Sequence, residues 1–393
     1  MSQNLTYKKF GDVASFSRGL TFAKGDVATG SSKKVLRSNN IDLQTHTLNF
    51  DDVACLKEEF IIPNEKKLHK GDIFICMSNG STQHLGKVAF IDKDMDYAFG
   101  GFMGVIHPDN TTIYPKYAFY ACLSSEYRRF LASIFNGINI NNLKWSDLSN
   151  LQIPIPPLQE QERIVAELDL LTGIIDKQKQ QLKELDNLAQ SIFYDMFGNP
   201  ETDERGWNVE KLSSICISIS DGSHNPPKGG EKSDYLMLSS KNIKDGLLSF
   251  EEPRYLSKEA FSLENKRTNV KEGDVLLTIV GTIGRCCLFN SSKNIVFQRS
   301  VAILKPKEAI NNLFLMYQMI MLRGVLENKA KGVAQKGIYL KQLGNISVIV
   351  PPKKLQESFA KKIQSIESQK ESINRSIAES QKLFDYTMDK YFG

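Results

Sequence analysis

The sequence lacks several features that would each mark a particular class of protein. It has no apolar run of about 18 residues, the length that a membrane-spanning helix needs. The N-terminal stretch MSQNLTYKKF has no apolar core of the secretory type, so we expect a cytoplasmic protein without membrane association. The net charge is only +5 over 393 residues. The hydrophobic share of 41% favours a globular protein, and 393 residues are too many for one ordinary core, so we expect more than one domain.

The cysteines show none of the C-x-x-C spacing that zinc sites and redox motifs use. Two of them are adjacent, and the full set is Cys55, Cys76, Cys122, Cys216, Cys286 and Cys287. We therefore predict reduced thiols that pack as small apolar groups, with neither a disulfide framework nor a zinc site.

No motif indicates a catalytic centre. Asn225-Pro226-Pro227 is similar to the N-P-P-aromatic motif of amino-methyltransferases, but Lys228 stands where those enzymes have an aromatic residue. No glycine-rich strand-to-helix turn for a nucleotide cofactor precedes it. We therefore predict a chain without catalytic residues and without a cofactor of its own.

Phosphate loops and paired catalytic groups are also missing. Residues 78–86 and 281–284 contain glycine but lack the Lys-Ser/Thr end of a phosphate loop, and hairpin turns explain them better. His84 and His224 have no paired nucleophile or orienting acid in a recognisable motif, which favours turn or surface roles. We predict no metal ligands, while a metal nuclease site assembled across the fold stays an open alternative.

The chain contains one unit twice. Matching landmarks recur at separations that fall from 202 to 195 residues along the chain. They are LRSNNI (36–41) with LSSKNI (238–243), KGDIFI (70–75) with EGDVLL (272–277), FGGFMGVIHP (99–108) with FQRSVAILKP (297–306), and the stretches 137–157 and 332–352, which both end in Pro-Pro. We predict four segments: a recognition domain over 1–157, a helix over 158–198, a second recognition domain over 199–352 and a second helix over 353–393.

Each globular segment reads as a mixture of short strands and a few helices. Apolar runs at 73–77, 87–91, 276–280 and 301–304 are bounded by Gly, Asn and Ser, as strands with tight turns are. Helical patterning is confined to about 116–135 and 312–328. The fold class predicted is therefore α+β, with two pseudo-symmetric α/β domains separated by two long helices.

The two long helices carry a narrow apolar seam with a mean spacing of 3.5 residues, the period of a supercoiled helix pair. Its predicted members are Ile164, Leu168, Leu171, Ile175, Leu182, Leu185 and Ile192 in the first helix, and Phe359, Ile363, Ile366, Ile373, Ile377 and Phe384 in the second. We expect an antiparallel coiled coil within this chain, with Gln178, Lys370 and Ser380 fixing its register; pairing with another subunit is the alternative.

Polar loops provide the residue types that read nucleic acid directly. Asn and Gln pair with adenine, Arg and Lys pair with guanine, and Ser, Thr and Lys hold phosphates. Loops at matching places differ between the copies, as at Gly100-Gly101 against Gln298-Arg299, whereas scaffold residues are kept. The candidate DNA-binding residues are Arg37, Ser38, Asn39, Asn79, Ser81, Thr82, Gln83, His84, Asn139, Asn141, Lys144, Asp221, Ser223, His224, Lys228, Ser240, Lys241, Thr282, Arg285, Arg299, Gln335, Lys336 and Lys341.

The chain resembles the specificity (S) subunits of Type I restriction-modification systems over essentially its whole length. The resemblance is carried by IPIPPLQEQERIVAEL (153–168), ISDGSHNPP (219–227), LSSKNIKDG (238–246), GDVLLTIVGTIG (273–284) and QRSVAI (298–303). The second copy departs from the pattern at VPPKKLQES (350–358), which we interpret as carrying two extra residues, with Ser358 at the place of Gln161.

The resemblance implies a non-catalytic subunit that reads an interrupted sequence in double-stranded DNA. It also implies that two methyltransferase subunits dock on the chain and that a motor-nuclease restriction subunit can join them. S-adenosylmethionine and the adenine chemistry would belong to those partners. The alternatives are a DNA-modifying enzyme in its own right and a coiled-coil scaffold without nucleic-acid function.

Overall fold

The computed structural model describes residues 6–135, 142–330 and 337–393. Helices occur in both copies of the repeat: α1 Pro115–Ala121, α2 Ser125–Phe135, α3 Trp145–Asn150, α4 Leu158–Phe197, α5 Leu212–Ile215, α6 Lys258–Thr268, α7 Asn312–Met321, α8 Arg323–Lys329, α9 Leu340–Gly344 and α10 Lys353–Phe392. Within these ranges, no helix combines the length and apolar character needed to cross a membrane.

Short strands and single-turn 3-10 helices make up the rest of the regular structure, and the strands are as follows. In the first copy they are β1 Tyr7–Lys9, β2 Ala14–Arg18, β3 Val27–Ala28, β4 Lys33–Leu36, β5 Ala54–Leu56, β6 Lys67–Leu68, β7 Ile73–Cys76, β8 Val88–Phe90, β9 Met95–Phe99, β10 Met103–Pro108 and β11 Gln152–Pro154. In the second copy they are β12 Asn208–Lys211, β13 Cys216–Asp221, β14 Tyr235–Leu238, β15 Ile243–Lys244, β16 Leu247–Leu248, β17 Arg254–Tyr255, β18 Val275–Thr278, β19 Cys286–Leu288, β20 Asn294–Phe297, β21 Val301–Pro306 and β22 Ser347–Val350.

The chain forms two compact units, which we call lobe 1 and lobe 2. Lobe 1 consists of Met1–Lys179 together with Arg375–Gly393, and lobe 2 consists of Gln180–Asn374. Each lobe thus contains one globular segment, the first half of the helix that follows it, and the last half of the other long helix. Both long helices are therefore divided between the lobes. The four segments predicted from the sequence, which follow one another along the chain, do not include this division.

The two lobes share a four-stranded sheet, a parallel strand pair and a terminal strand pair, which confirms the predicted α+β repeat, although the sheet around the parallel pair has five strands in lobe 1 and three in lobe 2. An antiparallel four-stranded sheet has the order β2-β10-β7-β8 in lobe 1 and β13-β21-β18-β19 in lobe 2. Beside it, a parallel pair joins β4 to β9 in lobe 1 and β14 to β20 in lobe 2. Short antiparallel pairs, β1 with β11 and β12 with β22, bring the two ends of each globular segment together.

A close backbone crossing recurs at the same place in both lobes. A Cβ atom built on Gly19 would lie 1.9 Å from the Gly100 carbonyl oxygen, and one on Gly222 would lie 2.0 Å from the Phe297 oxygen. Only glycine permits such an approach. The two lobes therefore share a backbone frame at this point, although the side chains around it differ.

The long helices pair with each other within the chain, and in each lobe they run antiparallel, as predicted. In lobe 1, the Gln178 amide donates to the Ser376 hydroxyl at 2.7 Å, and Arg163 donates to the Tyr391 hydroxyl at 2.9 Å. As the residue number rises along α4, the number of the partner residue on α10 falls, which is the order of an antiparallel pair. In lobe 2, Asp186 pairs with Lys370 at 2.7 Å and the Phe193 and Phe359 rings pack at 5.5 Å between centroids, which is an antiparallel order within that lobe.

The predicted seam residues all lie buried or half-buried. Ile164, Leu168, Leu171, Ile175, Phe359, Ile363 and Ile366 are buried, whereas Leu182, Leu185, Ile192, Ile373, Ile377 and Phe384 are half-buried. Lys370 also lies in the seam, where its ammonium group pairs with Asp186 at 2.7 Å and with Glu367 at 3.0 Å. Burial by itself would lower the pKa of Lys370, but the two carboxylates outweigh burial and raise that pKa.

Each long helix ends in the core of the opposite copy. Phe197, at the end of α4, packs on Phe314 of lobe 2 at 4.8 Å between ring centroids. Phe392, at the end of α10, packs on Tyr117 of lobe 1 at the same distance. Fully burying such a side chain contributes about 2–3 kcal/mol. Neither hydrophobic core is complete without the helix of the other copy.

A buried glutamine at the start of each long helix shows that the proposed two-residue insertion was wrong. The Gln161 side chain accepts the Tyr114 N–H at 2.8 Å and donates to the Pro156 carbonyl at 2.8 Å. Gln356 does the same with Asn311 and Pro351, also at 2.8 Å. Gln356, not the exposed Ser358, is therefore the counterpart of Gln161, and the two helix starts align without a gap.

We predict that Gln161→Leu destabilises lobe 1 and that Gln356→Leu destabilises lobe 2, by about 2 kcal/mol or more. Each substitution leaves a part-buried N–H and a buried carbonyl without the side chain that bonds to them, at a cost of about 1–3 kcal/mol for a fully buried group. Urea unfolding followed by circular dichroism measures the effect. Gln159→Leu, at an exposed position of the same helix turn, is the matched control and should change stability little. Equal stability of all three variants would contradict a structural role for these glutamines.

Candidate nucleic-acid interface

Polar loops of lobe 1 converge at one sheet edge, where the parallel strands β4 and β9 end. The turn after β4 is built on Asn40, which is fully buried. The side-chain oxygen of Asn40 accepts the Arg37 N–H at 2.8 Å, and its side-chain NH2 group donates to the Asn49 backbone carbonyl at 2.9 Å. Asn40 therefore shapes the turn, and the exposed side chains of Arg37 and Asn39 are left at its surface.

Hydrogen bonds tie three further loops to this turn. The Asn79 amide donates to the Ser38 hydroxyl at 3.0 Å. The Phe102 carbonyl accepts the N–H groups of Met77 and Ser78, both at 3.0 Å, and the Leu143 N–H reaches the Met77 carbonyl at 2.8 Å. The loops at 37–40, 78–84, 100–102 and 142–144 therefore form one surface, which we call edge 1.

Lobe 2 repeats this arrangement with other side chains. Asn242 is buried like Asn40, accepting the Ser239 N–H at 3.0 Å. The Ser240 N–H donates to the Ser300 hydroxyl at 3.0 Å, and the Arg299 N–H reaches the Ser223 carbonyl at 2.9 Å. The loops at 221–228, 239–242, 279–285, 298–300 and 337–341 form the matching surface, edge 2.

Most of the candidate DNA-binding side chains that the structure describes lie at the surface of these edges. Exposed side chains are those of Arg37, Asn39, Ser81, Thr82, Gln83, Lys144, His224, Lys228, Lys241, Thr282, Arg299 and Lys341, and half-buried ones are those of Ser38, Asn79, His84, Ser240 and Arg285. The candidates Asn139, Asn141, Gln335 and Lys336 lie outside the described residues.

Two of the candidates, Asp221 and Ser223, are buried in lobe 2, and their contact with DNA stays a prediction. The Asp221 carboxylate accepts from Arg267 at 2.6 Å and faces the His224 ring nitrogen at 2.7 Å. Ser223 lies in a bridge with Gln298. Asp221 thus supplies His224 with the acidic neighbour that its motif did not reveal, and its bonds to Arg267 and His224 hold the loop in place.

Two basic residues beside edge 2, Lys244 and Arg254, were missed by the sequence reasoning. An open groove in lobe 2 is lined by Lys241, Lys244, Arg254 and Gln298 together with the acidic Glu251. Arg254 lies on the short strand β17 and donates to the Pro227 carbonyl at 2.7 Å. Nothing in its local sequence sets it apart, because it joins the polar loops only through the pairing of β17 with β14.

Lobe 1 contains a hydrogen-bonded series with the order of a nucleophilic triad. Ser17 Oγ lies 2.9 Å from His107 Nε2, and His107 Nδ1 lies 2.7 Å from an Asp72 carboxylate oxygen. In lobe 2, Lys305 occupies the place of His107 and pairs with Asp274, the counterpart of Asp72. Lys305 is ion-paired with Asp274, and an ammonium group has no lone pair with which to act as a base, whereas either the cation or the ring can tie the carboxylate to the sheet. The shared role is therefore structural.

The described ranges contain no candidate metal site and no candidate reactive thiol. No group of three or more His, Cys, Asp or Glu side chains there is arranged to hold a metal ion. The six cysteines are free thiols, and all but Cys55 are buried. Burial raises the pKa values of Cys216 and Cys287 to about 12, which leaves both thiols protonated at neutral pH.

Two copies of one α+β unit, each with a convergent polar edge and a long helix, define a duplicated recognition protein. A family model described as Type I restriction modification DNA specificity domain matches residues 3–187 and again residues 204–380. The chain belongs to this family of type I restriction-modification specificity subunits. Its role is DNA recognition within such a system, and neither a self-sufficient DNA-modifying enzyme nor a scaffold without DNA is favoured.

Known relatives match along most of their length. The chain is 25% identical over 390 residues to the EcoKI specificity subunit of Escherichia coli (strain K12), and 24% identical over 391 residues to the StySPI specificity subunit of Salmonella potsdam. Each alignment covers 93% of this chain and 82% of the relative.

Two solved structures share the fold. The type I restriction-modification S subunit from M. genitalium aligns over 100% of this chain and 98% of its own, with a TM-score of 0.55 at 15% identity. A chain from work on complex assembly and conformational transition of the type I R-M system aligns over 98% and 97%, with a TM-score of 0.56 at 20% identity. At such identities the likeness concerns the fold alone.

Proposed function

We propose that the chain reads an interrupted sequence in double-stranded DNA, with edge 1 contacting one half of the site and edge 2 the other. The observation that carries the proposal is the pair of matching edges, which keep one backbone frame and change its side chains. At the turn that follows β9 and β20, Gly100-Gly101 in lobe 1 corresponds to Gln298-Arg299 in lobe 2. Two readers that contact different bases require this combination.

The exposed side chains have the chemistry for both kinds of DNA contact. Arg299 and Gln298 have the geometry for paired hydrogen bonds to guanine and adenine in the major groove. Lys144, Lys241 and Lys341 suit phosphate contacts, which position a protein without selecting a sequence. Arg37 forms an exposed ion pair with Asp52 at 3.2 Å, a type of pair worth about 0–1 kcal/mol, so a phosphate or base can replace Asp52 at little cost.

The adenine chemistry is assigned to partner subunits. We propose that two methyltransferase subunits dock on this chain and supply S-adenosylmethionine, and that a restriction subunit with translocase and nuclease activity joins the same complex. The chain itself contributes sequence recognition and the surfaces on which the partners assemble. The buried, hydrogen-bonded state of Asp72, Asp221 and Asp274 supports this division, because each carboxylate holds a loop or strand in place.

We predict that the purified chain binds duplex DNA with an affinity that falls steeply as salt rises, because phosphate contacts release counterions. It should not methylate DNA until its methyltransferase partner is added, and long-read detection of modified adenines should then map both half-sites and the gap between them. Filter binding across a salt series and methyl transfer from labelled S-adenosylmethionine measure the two properties. Methylation by the chain alone would identify an enzyme, and absence of DNA retention at low salt would identify a scaffold.

We also propose that the paired helices set the spacing between the half-sites. Both helices are continuous over 40 residues, Leu158–Phe197 and Lys353–Phe392. Their antiparallel order in each lobe and the ion pairs of Lys370 oppose sliding of one helix past the other. A spacer of this kind has a fixed length, whereas a flexible linker would tolerate a range of gaps.

We predict that deleting residues 176–182 from α4 and the facing residues 372–378 from α10 shortens the gap between the mapped half-sites. One heptad removes about 10 Å of helix, equivalent to about three base pairs at about 3.4 Å each, and it preserves the seam. Mapping of modified adenines gives the gap. Deleting only one of the two segments is the control, and it should lower the melting temperature by breaking the register. An unchanged gap in the double deletion would disprove the spacer.

An exposed apolar patch on the helices of lobe 1 supports partner docking there. Leu170 is 65% exposed and Ile174 is 37% exposed on α4, while Leu383 and Tyr386 are 52% and 68% exposed on α10. Each lies one position before a buried or half-buried residue of its helix, and in an antiparallel pair such positions project to the same side. Ser365 and Gln369 stand in lobe 2 where Leu170 and Ile174 stand in lobe 1, so the patch belongs to lobe 1.

We predict that Leu170→Ser with Ile174→Gln weakens binding of one of the two methyltransferase subunits. The double variant gives lobe 1 the polar residues that lobe 2 already has, so the helix pair should remain folded. Native mass spectrometry of the reconstituted complex would show a loss of the form with two methyltransferase subunits. The converse variant, Ser365→Leu with Gln369→Ile, controls for general disturbance. Full occupancy in the first variant would rule out the patch as a docking surface.

A further inference from the structure

Phe102 is the least expected exposed side chain at edge 1. It lies in the turn between β9 and β10, and it is 73% exposed. Exposure of a large ring forfeits about 2–3 kcal/mol of burial energy. Single exposed apolar side chains are common on protein surfaces, so what sets Phe102 apart is its position among the polar loops of edge 1, in the turn whose counterpart in lobe 2 carries Arg299.

The turn that presents Phe102 is held rigidly. Its carbonyl accepts both the Met77 and the Ser78 N–H groups at 3.0 Å. On either side of it, the Gly100 N–H donates to the Leu36 carbonyl at 2.9 Å, and the Met103 N–H donates to the Gly100 carbonyl at 2.8 Å. The ring therefore projects from a fixed backbone, and ordering it on binding costs little conformational entropy.

The neighbours of Phe102 at edge 1 suit a polyanion. The same surface carries the exposed side chains of Arg37, Asn39 and Lys144. Both kinds of side chain fit a ligand that is anionic outside and apolar within and that has flat surfaces accessible to a ring. Duplex DNA has this character at each base step. Proteins insert Phe and similar apolar side chains between base steps to unstack and bend the duplex.

Lobe 2 uses the same turn differently. The counterpart of Phe102 is Ser300, whose hydroxyl accepts the Ser240 N–H at 3.0 Å and which is half-buried. Beside it, Arg299 is exposed. One backbone turn thus presents an apolar ring in lobe 1 and a guanidinium group in lobe 2.

We propose that Phe102 stacks on, or inserts beside, a base of the half-site that lobe 1 contacts, and that this half-site is selected in part by how readily that base step unstacks. The inference rests on the proposed function, because it requires edge 1 to face DNA. Pyrimidine–purine steps unstack most easily, so a half-site containing such a step at the Phe102 position is the expected substrate.

The test uses the full chain assembled with its methyltransferase subunits and a duplex carrying the site mapped by modified-adenine detection. Adenines within and beside both half-sites are replaced one at a time by 2-aminopurine, which still pairs with thymine and whose fluorescence rises when it unstacks. With the unaltered chain, fluorescence should rise on binding at one step of one half-site in addition to any position where the methyltransferase extrudes its target adenine. Phe102→Ala should abolish that additional signal, and Phe102→Trp should restore it.

Affinity supplies the second readout. Phe102→Ala should raise the Kd for this duplex about tenfold, in line with the loss of one base–aromatic stack, without changing the slope of affinity against salt. Ile61→Ala, which removes an even more exposed apolar side chain of lobe 1 outside the edge 1 loops, is the control and should leave Kd unchanged.

The outcomes separate this inference from the function it rests on. Absence of DNA binding by the unaltered complex would overturn the proposed function. If the unaltered complex binds DNA normally, and Phe102→Ala changes neither the Kd nor the 2-aminopurine signal, the stacking role alone would be overturned. Loss of a methyltransferase subunit from Phe102→Ala, with DNA binding by the remaining complex unchanged, would show that a protein surface covers the ring and would overturn it equally.

Discussion

The burial of each long helix end in the core of the opposite copy is the interaction on which the rest of the structure depends. Phe197 completes the aromatic cluster of lobe 2, and Phe392 completes that of lobe 1. Because each core needs a helix from the other half of the sequence, folding of one copy alone would leave apolar surface open to water. The antiparallel order of the helices follows from this exchange, and the seam and the Lys370 ion pairs stabilise it along its length.

The two edges show how one scaffold can carry two specificities. Buried amides at Asn40 and Asn242 shape the same turn, and glycines at 19 and 222 allow the same backbone crossing. These groups bond only to backbone, so their cost of replacement is high and independent of what the protein binds. The surface side chains form few internal contacts and can change without loss of stability. Recognition can therefore vary while the fold stays constant.

Sequence reasoning was most successful where a periodic pattern or a repeat carried the information. The seam spacing and the paired landmarks predicted two α+β units and two long helices, because side-chain period reports directly on local structure. It was less successful where several residue types share one local pattern. Asp221 lies in a polar loop, yet its side chain is buried and bonded to Arg267, which comes from a helix some distance along the chain, and no local pattern indicates that contact. The counterpart of Gln161 was misassigned because a comparison of letters contains no information on hydrogen bonds. The Tyr114 N–H donates to Gln161 and the Asn311 N–H donates to Gln356, and these bonds identify the two glutamines as counterparts.

The sequence by itself determined that the chain is a duplicated unit with a helix after each copy, and which side chains form the helix seam. Both are consequences of short-range order, in which the period of apolar residues is enough. Only the tertiary structure decided which helix half belongs to which lobe, which polar loops meet at an edge, and that Phe102 projects from one of them. Those outcomes depend on pairings between residues far apart in sequence, such as β4 with β9 and Met77 with Phe102, and on the exclusion of water from a packed core.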